Sequence, residues 1–266
     1  AAAAPHLEAP EVIDAPVGTH PWARPDADID LYALTHNETS TGVAVPVCRP
    51  PGASGALIAI DATSGAGGLP VDLAEVDAYY FAPQKCFASD GGLWIALLSP
   101  AAQERIAELA ASDRYIPSSL SLSVALVSNA KEETNNTPAV ATLFLLVDQI
   151  EWMLAGGGLD WCVGRSRASA VHLYGWAEAS PFAAPFVGDP ALRSAVVGTI
   201  EFDPSVDAKA LAGTLRANGI VDVDPYRGVG RNQLRVGMFP SIETADVEAL
   251  TACIDWIVER TPTGPA

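Results

Sequence analysis

Asp61, which closes the run "ALIAID", and Lys85, in "YYFAPQK", are the side chains whose settings could carry chemistry. Lys85 has no other cation near it in the aromatic-rich stretch of residues 77–94, "DAYYFAPQKCFASDGGLW", and it stands between one strand-like run and a second, "GGLWIALL". Such surroundings desolvate an amine, and a desolvated Lys is the group that forms Schiff bases with carbonyl compounds. Both residues follow strand-like runs, so both fall at the carboxyl edge of one sheet, where open α/β sheets bind ligands. A carboxylate across from the amine is what a pyridinium nitrogen requires, and the pair together points to pyridoxal phosphate. Each has a plainer reading on its own: Asp61 as a helix cap or Asx turn, Lys85 as a solvated turn residue. The glycines of "DATSGAGG" match neither G-x-G-x-x-G nor the Walker pattern, and a flexible turn accounts for them.

The elements that must hold these groups are legible as a series of strand-like runs, "IDLYAL", "ALIAID", "VDAYYFA" and "GLWIALLS", separated by Gly, Pro, Ser and Asn clusters. "SPAAQERIAELAAS" then opens a helix with a Ser cap and a Pro at its first position. "TPAVATLFLLVDQIEWMLAGGG" reads as a long, largely buried helix stopped by glycines, and "LDWCVGRSRASAVHLYGWAE" as the next. After the Pro-rich passage "SPFAAPF", which suits a junction, the order is strand "VVGTIEF", helix "VDAKALAGTLRANG", strand "QLRVGMF" and helix "TADVEALTACIDWIVERT". The expected organisation is α/β, with residues 1–155 forming a large, mostly parallel domain and residues 156–266 a linking helix and a small C-terminal α/β domain.

Composition narrows the partners. The chain has 266 residues, of which 49% are hydrophobic, enough for a sizeable core, and 32 acidic against 15 basic residues give a formal charge of −17. That balance argues against nucleic acid or an anionic membrane surface as a general partner, while leaving room for a small cationic pocket. Four widely spaced cysteines without a CxxC pair read as free thiols in a reducing compartment, and the apolar runs are too short to span a bilayer, so a cytoplasmic protein is expected. His36 reads as a structural imidazole, and no ligand-spaced partner makes a metal site with it.

"HNETSTG", "DATSG", "YYFAPQK" with "GGLW", "NNTPA" and "GRNQLRV" occur in the order and approximate spacing of phosphoserine aminotransferases, which this sequence resembles over essentially its whole length. The resemblance implies a fold type I enzyme dependent on pyridoxal 5'-phosphate and working as a homodimer. It would move an amino group between L-glutamate and 3-phosphohydroxypyruvate, giving 2-oxoglutarate and O-phospho-L-serine in serine biosynthesis. By the same resemblance Lys85 would bind the cofactor covalently, Asp61 would pair with its pyridinium nitrogen, Gln84 would reach its phosphate, and Thr39 would hydrogen-bond its 3-oxygen. Asn136 and Thr137 would reach across the dimer to the partner's cofactor phosphate, and Arg235 would grip the substrate carboxylate. Asn136 and Thr137 before Pro138 would serve equally as a helix cap, and Arg235 as an exposed strand cation.

Two departures from the family pattern stand out. "YRGVGRNQLR" offers Arg227 and Arg231 for a substrate phosphate but lacks the His that often precedes the Arg there. Residues 1–40 also lack the Gly-rich segment and aromatic cover the family uses for the cofactor, so the expectation is an N-terminally truncated form. The rival readings are a fold type I aminotransferase of the alanine–glyoxylate or serine–glyoxylate type, a cysteine desulfurase using Cys86, and a non-catalytic remnant that retains no cofactor.

Overall fold

The computed structural model describes residues 9–53, 55–226, 228 and 230–260. Its first sheet is built from β1 (Leu31–Thr35), β4 (Leu57–Asp61), β5 (Ala78–Phe81) and β6 (Ile95–Leu98), with the hairpin of β2 (Asn37–Glu38) and β3 (Val43–Ala44) inserted after β1. β1, β4 and β5 run parallel and β6 returns antiparallel to β5 at the edge. The register sets Thr35 beside Asp61 and Asp61 beside Tyr80, so the three parallel strands end level with one another. β4 shows why it is central: Ile58 and Ile60 are wholly buried, and the β-branched side chains pack under the sheet with Tyr32, Val76 and Tyr79.

The opposite end of this sheet is clamped by Asp77. Its carboxylate accepts from Arg49 Nη2 at 2.8 Å, the Ile58 N–H at 2.9 Å and Ser99 Oγ at 2.8 Å. Burial alone would push this carboxyl up, but those hydrogen bonds and the guanidinium charge outweigh it and hold it below the usual carboxylate range. Ser99 also caps α1 (Pro100–Ala110), accepting from the Ala102 N–H with Pro100 at the first helical position, as the sequence predicts.

Two helices follow that the pattern describes less well. α2 (Leu122–Asn129) lies in a stretch with no assigned element in the sequence reading; it is an eight-residue helix whose apolar residues show little sidedness. α3 (Val140–Gly156) forms where expected, yet only Thr142, Leu146 and Met153 are buried, while Phe144, Val147 and Leu154 are exposed. The expectation of a largely buried helix is therefore corrected. The apolar residues of α3 run round the whole helix, and one face alone packs, on α4 (Gly158–Ala179).

α4 carries the chain into a second core. "SPFAAPF", expected as a junction, contributes the short strand β7 (Ala183–Pro185), which pairs antiparallel with β8 (Val197–Phe202). α5 (Ala208–Ala217), β9 (Gln233–Gly237) and α6 (Thr244–Arg260) complete a three-stranded antiparallel sheet, order β7–β8–β9, with its helices. Leu173, Ile200, Leu215, Leu234, Met238 and Ile254 are its largest fully buried side chains.

A third, small cluster joins the two cores at the point that matters for function. Leu69 and Cys86, from the loops that follow β4 and β5, pack on Val196 and Val197 at the start of β8. The hairpin loop docks beside them: Thr199 Oγ1 donates to the Thr41 carbonyl, and the Ser194 N–H donates to the Gly42 carbonyl. Gly42 is required there. Its φ of +76° suits glycine, and a Cβ would lie 2.9 Å from the Val197 carbonyl oxygen. Val197, Thr199 and the hairpin thus fix the carboxyl edge of the first sheet against the second.

Candidate active site

Asp61 ends β4, and one carboxylate oxygen accepts the Thr63 N–H at 2.9 Å, an Asx turn that orients the side chain. The other oxygen has no hydrogen-bond partner among the described residues. The phenol of neighbouring Tyr80 is raised above its ordinary range, first by burial and then by the negative charge of Asp61. Beyond Asp61, "DATSGAGG" is not a flexible turn. The Gly65 and Ala66 N–H groups return to the Ala62 carbonyl, and the Gly68 and Leu69 N–H groups return to that of Gly65. A Cβ at Gly65 would stand 2.9 Å from His36 Nδ1, and one at Gly68 would stand 2.6 Å from a Val196 methyl and 2.7 Å from Cys86 Sγ. The glycines serve close packing.

Lys85 lies in the turn after β5, half-buried, and its amine has no hydrogen bond or ion pair among the described residues. Gln84 beside it is exposed. Cys86 is buried, donates to the Ser64 carbonyl at 3.4 Å, and burial pushes its thiol well above the ordinary range. A desulfurase nucleophile needs the opposite, an exposed and readily ionised thiol.

Thr39 follows β2. Its hydroxyl donates to Ser64 Oγ at 2.7 Å, and its carbonyl accepts from Arg235 Nη1 at 3.4 Å. Arg235 arrives on β9 because β8 stands between: Thr199 pairs with Arg235 in register and holds the Thr41 carbonyl of the hairpin. The Arg235 guanidinium also lies 5.1 Å from the centre of the Tyr226 ring. Thr39 and Cys86, the neighbour of Lys85, thus both reach Ser64 in the turn that follows Asp61, and Arg235 is tied to the same place through the Thr39 carbonyl. His36, directly before the hairpin, is 2% exposed, and its Nδ1 is 3.0 Å from the Tyr79 hydroxyl. Burial lowers its pKa to about 4 against an opposing hydrogen bond to Pro70, so the imidazole is neutral near pH 7 and structural.

Other predicted residues lie apart. Arg231 makes two hydrogen bonds to Glu201 and sits 4.9 Å from the Phe186 ring centre, so its guanidinium is already engaged. Arg227 falls outside the described residues. Asn136 and Thr137 are exposed in the loop before α3, and neither caps that helix, whose N-cap is Ala139 without a side-chain hydrogen bond. Ser64 is the site residue that sequence reasoning missed; only its place three residues after Asp61 could have drawn attention to it. Two cavities lie apart from these side chains: one of about 250 Å³ beside β1, lined in part by His20, Trp22 and Cys48, and one of about 610 Å³ at Asp148, Glu151, Trp152 and Ser241. Among the described residues no group of three His, Cys, Asp or Glu side chains could hold a metal ion.

The donor set is of the kind a phosphorylated pyridine aldehyde needs: a carboxylate oxygen without a hydrogen-bond partner among the described residues at a strand end, a half-buried amine likewise unpaired, and the Thr39 hydroxyl held on Ser64. The class-V aminotransferase family profile matches residues 24–223. A putative phosphoserine aminotransferase of Mycolicibacterium vanbaalenii is 60% identical over 256 residues, 96% of this chain and 69% of its own length. A phosphoserine aminotransferase of Rhodococcus opacus is 59% identical over the same 96% of this chain and 69% of its own length. Among solved structures, a phosphoserine aminotransferase of Cytophaga hutchinsonii superposes with a TM-score of 0.82 at 24% identity, covering 92% of this chain and 68% of that one. At that identity the likeness speaks to the fold, a fold type I large domain with its mixed, mostly parallel sheet.

Proposed function

The chain belongs to the class-V aminotransferase family, and on that premise we propose that it acts as a phosphoserine aminotransferase. The reaction is exchange of an amino group between L-glutamate and 3-phosphohydroxypyruvate, giving 2-oxoglutarate and O-phospho-L-serine in serine biosynthesis. The observation that supports the reading is the hydrogen bond from Arg235, on the second sheet, to the carbonyl of Thr39, whose hydroxyl in turn reaches Ser64 just after Asp61. Relatives at about 60% identity carry the name phosphoserine aminotransferase, which supports the same activity.

Pyridoxal 5'-phosphate, when bound, supplies an electron sink for the carbanion formed at the substrate Cα. The chain's own groups do the rest. Asp61 would hold the ring nitrogen with its unpartnered oxygen and keep it protonated. Thr39 would bind the ring 3-oxygen, and Gln84 the phosphate. Lys85 would hold the cofactor covalently and would carry the proton at the substrate Cα. Arg235 has guanidinium N–H groups beyond the one given to the Thr39 carbonyl, enough for a two-point grip on the α-carboxylate. Arg227 and, after exchange from Glu201, Arg231 would serve the substrate phosphate. The working form is a cytoplasmic homodimer. The test is direct: with added cofactor and glutamate, 2-oxoglutarate should form with 3-phosphohydroxypyruvate at least ~10-fold faster than with glyoxylate, since a lost charge-assisted contact costs that much or more. Equal rates would favour the alanine–glyoxylate type, and no visible absorbance from bound cofactor would favour the remnant.

The dimer role of Asn136 and Thr137 predicts complementation. Lys85→Ala subunits and Asn136→Ala/Thr137→Ala subunits are each inactive alone, but every mixed dimer keeps one intact site, so random re-pairing should restore about a quarter of wild-type activity. Absence of recovery after verified subunit exchange would return both residues to their own chain.

A further inference from the structure

Ser64 stands where three segments of the site cross: the turn after β4, the β2 hairpin and the turn that carries Lys85. Its hydroxyl accepts from Asn37 Nδ2 at 2.8 Å and from Thr39 Oγ1 at 2.7 Å, and donates to the Asn37 carbonyl at 3.1 Å. One proton and two lone pairs are all a hydroxyl has, so its capacity is filled. The residue is 2% exposed, and its carbonyl receives Cys86, next to Lys85. Asn37, itself 5% exposed, keeps its Oδ1 buried without a partner, so the hydrogen bond from Nδ2 to Ser64 is the described contact that orients this amide. With Asn37 fixed, the remaining lone pair of Ser64 has one direction, and Thr39 is tied along it.

We propose that Ser64 is a positioning residue that holds the Thr39 hydroxyl at the ring 3-oxygen of the cofactor, with Asn37 fixing Ser64 in turn. The inference rests on the cofactor reading above. Its function is geometric: the contact with Ser64 selects one of the few χ1 rotamers open to a β-branched threonine, and it survives when the ring oxygen takes the Thr39 proton, because Ser64 can turn its own proton from the Asn37 carbonyl to Thr39 Oγ1. Ser64 itself touches neither cofactor nor substrate; it acts through Thr39.

The experiment measures binding, not turnover. Pyridoxal phosphate and its 3-deoxy analogue, which lacks only the ring oxygen that Thr39 meets, are titrated into the wild type, Ser64→Ala, Thr39→Val and the double variant. Dissociation constants are read from absorbance and fluorescence, and thermal melts verify the fold. Ser64→Ala and Thr39→Val should each weaken pyridoxal phosphate by about five-fold, the worth of one neutral hydrogen bond, and leave the analogue within about two-fold. The double variant should be no weaker than Thr39→Val alone, because the two changes remove one interaction. Equal loss for both ligands, or losses that add in the double variant, would mean that Ser64 is merely structural and overturns the proposal. Should Ser64→Ala fail to fold, the comparison is made with Ser64→Cys, whose thiol fills the same space but is a weak hydrogen-bond acceptor and should reproduce the selective loss. Failure of the wild type to bind pyridoxal phosphate overturns the cofactor reading and this proposal together, an outcome distinct from binding that Ser64→Ala leaves unchanged.

Discussion

Replacing Lys85 by Ala should remove the visible absorbance of bound cofactor and lower transaminase turnover by about 10⁴-fold, the upper range for loss of a positioned proton-transfer group. The argument is one of elimination as well as placement. The chain has three lysines, and the other two, Lys131 and Lys209, are exposed, one after α2 and one on α5. A Schiff-base amine must be reachable by the cofactor and free of an ion-pair partner; Lys85 alone among the three is half-buried, at the carboxyl edge of the first sheet. Cys86 and Ser89 anchor its turn, through the Ser64 carbonyl on one side and the Thr142 carbonyl on the other, so truncation of the exposed end of Lys85 should leave the fold and melting temperature nearly unchanged. The check is an absorbance spectrum after cofactor addition alongside a thermal melt. A variant that melts normally and still shows the wild-type band would take the covalent role away from Lys85.

Much of this arrangement was legible before any coordinates. The four runs read as strands are the four strands of the first sheet, because alternating β-branched and aromatic residues bounded by Gly and Pro leave few other choices. Asp61 and Lys85 could be singled out because a parallel sheet puts all strand ends on one edge, and counting along the chain is enough to find that edge. Relations that depend on docking were not legible. The contact between Thr39 and Arg235 spans 196 positions and exists because Thr199 on β8 holds the hairpin loop, and no local pattern encodes that. Arg231 and Arg235 look alike in "GRNQLRV", yet the partner strand gives Arg231 the carboxylate of Glu201. Glycine was misread for a similar reason: in "DATSGAGG" its use is close approach to His36, Cys86 and Val196, which a sequence shows only as flexibility. α3 was misread in burial because its composition is that of a buried helix, while the described residues cover one of its faces.

Asp61→Asn is expected to keep the cofactor site but slow turnover by about 100-fold or more, which corresponds to about 2.7 kcal/mol or more of lost transition-state stabilisation. Asn is close to isosteric with Asp and can still accept the Thr63 N–H, so the Asx turn after β4 survives, and with it the close-packed turn that carries Ser64. What disappears is the negative charge. A neutral amide cannot keep the ring nitrogen protonated, and an unprotonated ring is a poorer sink for the electrons released at the substrate Cα. Tyr80 supplies an internal check that the charge alone has gone. Its phenol is held up first by burial and then by the charge of Asp61, which disfavours a second anion beside it. Removing that charge should therefore move the Tyr80 titration to lower pH, while burial keeps it above the ordinary value. Tyr80 is 40% exposed, so the change can be followed by ultraviolet difference titration. A variant in which Tyr80 shifts as expected but turnover stays near that of the wild type would show that the charge was removed without consequence, and would leave Asp61 only its turn-capping role.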